Sequence, residues 1–177
     1  MKPETPPFFI ITGPPGSGKT TLIDALARSI STIPEVARRV LAEERASGGI
    51  ATGEQDPAAF VARMLEMAIA DYAASTSPTV FDRGLPDLLA FSAHYGLPDQ
   101  DVEAAIEAHR YQPKVFILPP WPDIYQTDAE RTLDFDGAAA FGDLTRQAYR
   151  RSGYAMIDVP KASVAARVAF IRSALGL

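Results

Sequence analysis

Eight residues near the start of the chain have the types and the spacing that bind phosphate. They read Gly13-Pro14-Pro15-Gly16-Ser17-Gly18-Lys19-Thr20 and match the pattern G-x-x-x-x-G-K-[ST] in full. An apolar run precedes them and an amphipathic segment follows, so the loop joins a strand to the start of a helix. Glycines allow backbone N–H groups to converge on a phosphate at the positive end of a helix. The pattern therefore predicts a phosphate-binding P-loop (Walker A motif).

The residues that end this loop supply a positive charge and a metal ligand. Lys19 is predicted to reach the β- and γ-phosphates of a nucleotide, and the hydroxyl group of Thr20 is predicted to bind Mg²⁺. Thr21 is predicted to extend the nucleotide contacts into the first helical turn. We therefore expect ATP and Mg²⁺ as cofactors.

A second polar group follows the third predicted strand, Thr79-Val80-Phe81-Asp82. Asp82 is predicted to hold the magnesium shell, whereas Arg83 stands where mechanical ATPases usually place a water-polarising glutamate. Arginine cannot act as a general base, but it can neutralise a transferring phosphoryl group or bind an anionic acceptor. The alternative is that Arg83 only forms an ion pair with Asp87.

Glu35 follows a short extended piece near residues 32–34. A carboxylate at that point could orient or deprotonate the hydroxyl group of an acceptor. The alternative is a solvent-facing acid in a first helical turn, where acids are favoured. Arg38 and Arg39 lie one turn further on; one of them could face the cleft, but surface positions are favoured.

Two later segments carry further candidates. Arg131 is predicted to close over the nucleotide phosphates from a small lid around residues 121–136, which would exclude water. Trp121 and Tyr125 in this segment could stack on an acceptor ring or pack beneath the lid. After the fifth predicted strand, Val159-Pro160 is predicted to pass beside the adenine.

These residues can act together only if the fold brings them to one place. The pattern of apolar residues in the rest of the chain predicts such a fold. Short apolar runs alternate with amphipathic segments. Strands are expected at 8–12, 32–34, 79–82, 114–118 and 154–158, and helices at 18–31, 35–45, 57–72, 85–95, 101–110, 127–133, 137–152 and 163–175. Continuous apolar runs are typical of strands buried on both faces. The alternation predicts a three-layer α/β fold with a parallel sheet, whose ligands bind beyond the carboxyl ends of the strands.

Composition excludes several other classes of protein. The chain has 177 residues, a net charge of −5 and no cysteine, so zinc–thiolate sites, iron–sulfur clusters and cysteine nucleophiles are excluded. His94 and His109 are too few for a multi-histidine metal site. The sequence has no basic stripe of the kind that general nucleic-acid binding requires. No apolar run approaches the ~20 residues of a membrane span. We expect one cytoplasmic domain spanning residues 1–177, whose oligomeric state the sequence does not indicate.

The motifs as a set resemble a known family. They are Phe9-Ile10-Ile11-Thr12-Gly13, Gly18-Lys19-Thr20, Pro34-Glu35, Phe81-Asp82-Arg83-Gly84, Phe116-Ile117-Leu118-Pro119-Pro120-Trp121, Ile124-Tyr125, Asp128-Ala129-Glu130-Arg131, Gly153-Tyr154 and Val159-Pro160. Together they resemble the small bacterial AAA-domain predicted ATPases, whose characterised relatives are nucleoside-kinase-like and nicotinamide-riboside-kinase-like P-loop proteins. The resemblance implies a P-loop NTPase fold of the kinase type, a five-stranded parallel sheet in the order 2-3-1-4-5, ATP and Mg²⁺. It leaves the acceptor open.

The sequence favours an ATP-dependent phosphotransferase whose partners are a nucleotide and a small hydroxylated or phosphorylated acceptor. In this hypothesis Lys19, Arg83 and Arg131 stabilise the charge of the phosphoryl group. Thr20 and Asp82 bind Mg²⁺, and Glu35 orients the acceptor. The alternative is a nucleotide hydrolase or a nucleotide-dependent regulatory module, against which the missing Asp-Glu pair argues. A structural domain with a vestigial loop is disfavoured because Lys19, Thr20 and Asp82 are intact.

Overall fold

Five parallel strands form the centre of the molecule. A computed structural model describes residues 5–126 and 133–176. Its strands are β1 (Phe8–Thr12), β2 (Ser31–Ile33), β3 (Thr79–Asp82), β4 (Lys114–Ile117) and β5 (Ala155–Asp158). All neighbouring pairs are parallel, and the strand order is β2-β3-β1-β4-β5. The predicted fold class and strand order are confirmed.

Helices connect the strands. They are α1 (Lys19–Leu26), α2 (Val36–Ser47), α3 (Pro57–Ala74), α4 (Leu85–Tyr95), α5 (Gln100–Ala108), α6 (Phe135–Arg151) and α7 (Val164–Leu175), and a short 3-10 turn lies at Pro122–Ile124. In the ranges 5–126 and 133–176, no helix has both the length and the apolar character that crossing a bilayer requires.

Several helix boundaries differ from the prediction by one or two residues, and the end of the first helix differs by about five. The first helix ends at Leu26 rather than near residue 31, because the N–H groups of Ser29 and Ile30 both turn back to the Leu26 carbonyl before β2 begins. Ile30 is still buried, but in this turn rather than on a helix face. The sixth helix begins two residues early because the side chain of Asp134 caps it. The helix predicted at 127–133 falls almost wholly outside the described residues.

Successive residues of the central strands face opposite sides of the sheet, which divides the core into two clusters. Ile10 and Phe81 pack with residues of α2 to α6 on one face. Ile11 and Val80 pack with residues of α1 and α7 on the other. This period-two alternation produces the three layers.

The carboxyl ends of the strands lie at one edge of the sheet. Ile11 pairs with Asp82 and Ile33 pairs with Phe81, so β1, β2 and β3 end side by side. The loops that carry the predicted site residues therefore leave the sheet at the same edge, as expected for a parallel α/β sheet.

Candidate active site

The P-loop joins β1 to α1 at the centre of this edge. Gly16 and Gly18 have φ angles of 76° and 80°, in the left-handed region that favours glycine. Gly18 is the N-cap of α1, and no side chain of the described residues caps the N–H groups of the first helical turn, which have no partner within the helix. The hydroxyl group of Ser17 is buried and has no hydrogen-bonding partner among the described residues. A loop with unpaired donors at a helix N-terminus fits the phosphates of a nucleotide.

Residues that follow β4 pack directly against Gly13 and Gly16 of the P-loop. A Cβ atom on Gly16 would lie 2.4 Å from the ring of Tyr125, and one on Gly13 would lie 2.8 Å from the carbonyl oxygen of Leu118. The hydroxyl group of Tyr125 donates a hydrogen bond to the Leu133 carbonyl, which fixes the ring in this place. Glycine is therefore required in the loop for its close packing as well as for its backbone angles.

We expect Gly16→Ala to destabilise the protein and to weaken nucleotide binding, because it adds a clash with Tyr125 to the backbone strain. Gly153→Ala is the matched control, since Gly153 has a φ of 78° and nothing within 4 Å of its added Cβ. The control should lose about 1–2 kcal/mol of unfolding free energy, and Gly16→Ala about 1–3 kcal/mol more. Urea unfolding and ATP titration measure both effects. Equal losses for the two variants would show that Tyr125 does not constrain the loop.

Four charged side chains meet at this edge of the sheet. Lys19 begins α1, Asp82 ends β3, and Glu35 and Arg83 follow β2 and β3. The ammonium group of Lys19 forms ion pairs with a carboxylate oxygen of Asp82 and, at 3.2 Å, with Oε2 of Glu35. The Nε group of Arg83 donates to Oε1 of Glu35 at 2.8 Å. Glu35 is 11% exposed, which excludes the alternative that it faces solvent. The structure thus brings together four of the five predicted catalytic residues, and the fifth, Arg131, lies outside the described residues.

The two carboxylates of this cluster differ in their electrostatic environment. Burial by itself would raise the pKa of Glu35, but the charges of Lys19 and Arg83 outweigh it and hold that pKa well below its usual range. Burial raises the pKa of Asp82. The charge of Lys19 opposes this increase, and the negative charge of Glu35 adds to it. Glu35 is therefore the firmly ionised member of the pair.

The buried carboxylate of Asp87 holds Arg83 in place. Asp87 is fully buried, and its carboxylate accepts hydrogen bonds from Arg83 Nη1 at 2.9 Å, from the Thr12 and Tyr149 hydroxyl groups at 2.5 Å each, and from the Gly84 N–H. Among the described residues other than glycine, Arg83 alone has a positive φ, 69°. The ion pair with Asp87 and the contact with Glu35 therefore both exist, and together they orient the guanidinium.

A cavity of about 270 Å³ opens next to the charged cluster, between α1, the end of β2 and α2. Its lining residues are Thr20, Ile23, Asp24, Thr32, Pro34, Glu35, Arg38, Arg39, Ala42 and Asp82. Thr20 and Asp82, the two predicted Mg²⁺ ligands, thus face one space. Hydroxyl and carboxylate oxygens suit Mg²⁺, which also keeps waters and binds substrate phosphates. The donor set fits this metal.

Both Arg38 and Arg39 line this cavity, whereas the sequence favours the surface and allows one of them to face the cleft. Arg39 forms an ion pair with Asp71 at 2.5 Å, and Arg38 lies 3.6 Å from Glu35. Both side chains are more than one third exposed, so they belong to the cavity and to the surface at once. No spacing rule distinguishes such positions from ordinary helix surface.

Of the two residues predicted beside the adenine, Pro160 is exposed and Val159 is buried. The side chain of Val159 is 1% exposed and packs in the core, and its N–H group bonds to the Ile117 carbonyl. A base at this place would therefore contact Pro160 and backbone atoms rather than the Val159 side chain.

Solved structures share this fold. The NadR protein, solved with NR, aligns with a TM-score of 0.69 and 16% identity over 98% of this chain and 51% of its own, so this chain spans about half of it. A deoxyadenosine kinase from M. mycoides aligns with a TM-score of 0.65 and 14% identity over 96% and 98% of the two chains. A thymidylate kinase from Ehrlichia chaffeensis aligns with a TM-score of 0.63 and 15% identity over 95% of this chain and 98% of its own. At such identities the likeness concerns the fold.

Sequence comparison adds the family. No curated protein matches the sequence. The model of a family described as an AAA domain (AAA_28) matches residues 8–167, from the first strand to the last helix. The resemblance stated from the motifs is confirmed: the chain belongs to this AAA domain family.

Proposed function

We propose that this protein is an ATP- and Mg²⁺-dependent kinase that transfers a phosphoryl group to a small polar acceptor. The observation that carries the proposal is the position of Glu35. Its carboxylate lies 3.2 Å from the ammonium of the P-loop lysine and lines the 270 Å³ cavity. A substrate hydroxyl group bound to Glu35 would therefore lie close to the phosphates that Lys19 binds. In-line transfer requires this proximity of acceptor oxygen and phosphoryl group.

Each charged residue has a role in this proposal. Lys19 would exchange its carboxylate partners for phosphate oxygens, which releases Glu35 to accept a hydrogen bond from the acceptor. Arg83, fixed by Asp87, would neutralise charge on the transferring group. Arg131 would close over the phosphates from the lid around residues 121–136. Mg²⁺ bound by Thr20 and Asp82 would supply further charge neutralisation at the phosphates.

The lining of the cavity indicates the chemical class of the acceptor. Asp24 and Glu35 can accept hydrogen bonds from hydroxyl groups, whereas Arg38 and Arg39 can bind an anionic group such as phosphate. A small molecule with several hydroxyl groups, with or without a phosphate, fits this mixture. Kinases among the fold neighbours support the proposal at the level of the fold.

Glu35→Gln is expected to reduce acceptor-dependent turnover by about 10²-fold or more, because the amide neither accepts a proton nor orients the hydroxyl group as well. ATP binding should be retained. The experiment measures ADP release with ATP, Mg²⁺ and a panel of nucleosides, nucleoside monophosphates and other small alcohols, and measures ATP affinity by calorimetry.

Glu66→Gln, an exposed change on α3, is the control and should leave both values unchanged. ADP release that no acceptor stimulates would instead support a nucleotide hydrolase. If Glu35→Gln weakened ATP binding and left turnover unchanged, Glu35 would belong to the nucleotide site and not to the acceptor site.

A further inference from the structure

A buried cation lies on the side of the P-loop away from the acceptor cavity. Arg167 of α7 is 4% exposed, and its Nε atom is buried without a hydrogen-bonding partner in the described part of the chain. Its Nη1 group makes one long hydrogen bond, 3.4 Å, to the carbonyl oxygen of Gly18. Over residues 5–126 and 133–176, no carboxylate forms an ion pair with it. Burial accordingly lowers the pKa of Arg167.

The aromatic face of Trp121 covers this cation. The guanidinium carbon of Arg167 lies 5.5 Å from the centre of the indole ring, within the range of a cation–π contact. The indole N–H donates to a carboxylate oxygen of Asp123 at 3.2 Å, which fixes the ring a second time. Trp121 is only half-buried, so part of the indole remains accessible. A fixed aromatic surface is thus presented next to the P-loop.

The geometry of phosphoryl transfer indicates what this surface would bind. The attacking and leaving oxygens lie roughly in line across the transferred group. The acceptor cavity lies beside β2, at one side of the central strand β1. The nucleoside that carries the leaving oxygen must then lie on the opposite side, over β4 and β5. Trp121 follows β4, and Arg167 lies on the helix that follows β5.

We propose that the indole of Trp121, held from beneath by Arg167, is the stacking surface for the base of the nucleotide, and that it favours purines. Aromatic stacking on a base is strong and tolerant of base identity, and a purine overlaps the indole more than a pyrimidine does. This inference rests on the proposed function, because it uses the acceptor side to locate the base. It gives Trp121 a role on the nucleotide side, in place of the two roles predicted from the sequence, which were stacking on an acceptor ring and packing beneath the lid.

The chain contains a single tryptophan, so its fluorescence reports on this surface alone. We expect MgATP and MgGTP to quench it saturably, CTP to quench it less, and magnesium tripolyphosphate, which has no base, to bind without quenching. Trp121→Ala should weaken ATP binding by about 5- to 150-fold and leave tripolyphosphate affinity unchanged, both measured by calorimetry. Trp121→Phe, which keeps an aromatic ring, should recover part of the loss.

Equal weakening of ATP and tripolyphosphate by Trp121→Ala would overturn the proposal, because it would show that Trp121 only supports the P-loop. Acceptor-dependent turnover together with unquenched tryptophan fluorescence would also overturn it, while leaving the kinase intact. If the folded protein bound neither ATP nor tripolyphosphate, both this proposal and the proposed function would be wrong.

Discussion

Lys19→Ala is expected to lower phosphoryl transfer by about 10²- to 10³-fold or more, comparable to the loss of one preorganised transition-state donor. Lys19 is 6% exposed, and its ammonium already contacts the two carboxylates of the site. Among the described residues, Lys19 forms ion pairs with both Glu35 and Asp82. ADP release under saturating acceptor measures the effect, and calorimetry with MgATP measures the accompanying loss of affinity.

The same substitution leaves the carboxylates of Glu35 and Asp82 close together without their shared ammonium. We expect this repulsion to raise the pKa of Asp82 further, because Lys19 lowers that pKa more than Arg83 does. Circular dichroism must therefore show that the variant is folded. Lys114→Ala, an exposed change at the start of β4, is the matched control. Turnover that survives Lys19→Ala would remove Lys19 from the proposed mechanism.

Asp87→Leu is expected to lower the free energy of unfolding by about 3–5 kcal/mol. The substitution leaves the buried guanidinium of Arg83 without its most buried counter-ion and leaves the Thr12 and Tyr149 hydroxyl groups without their acceptor. Arg83 keeps Glu35 as a partner. A guanidinium does not lose its proton in proteins, so Arg83 cannot avoid the cost by becoming neutral. Urea unfolding followed by far-ultraviolet circular dichroism measures the loss.

Two further variants separate the charge from the hydrogen bonds. Tyr149→Phe removes one donor to Asp87 and should cost only about 1–2 kcal/mol. Arg83→Met combined with Asp87→Leu should be more stable than Asp87→Leu alone, because no buried charge is then left unpaired. A loss below about 1 kcal/mol for Asp87→Leu, inside the range of an ordinary hydrogen bond, would show that Asp87 does not hold Arg83.

Local patterns determined the scaffold and the phosphate loop. The glycines and the lysine of the P-loop stand within eight consecutive residues, and the backbone angles of Gly16 and Gly18 agree with that pattern. Strand positions followed from short apolar runs, and the strand order was implied by the family resemblance. The end of the first helix was missed because Ile30 has helical spacing but is buried in a turn.

The long-range contacts of the site were decided only by the tertiary structure. Thr12 meets Asp87 across 75 positions of sequence, and Gly18 meets Arg167 across 149. A carboxylate such as Glu35 is equally compatible with solvent and with a buried ion pair until the sheet places Lys19 and Arg83 beside it. Sequence spacing therefore determined which residues could bind phosphate, because that loop is continuous in the chain. Folding decided which charges neighbour one another, because electrostatic interactions depend on distance in space.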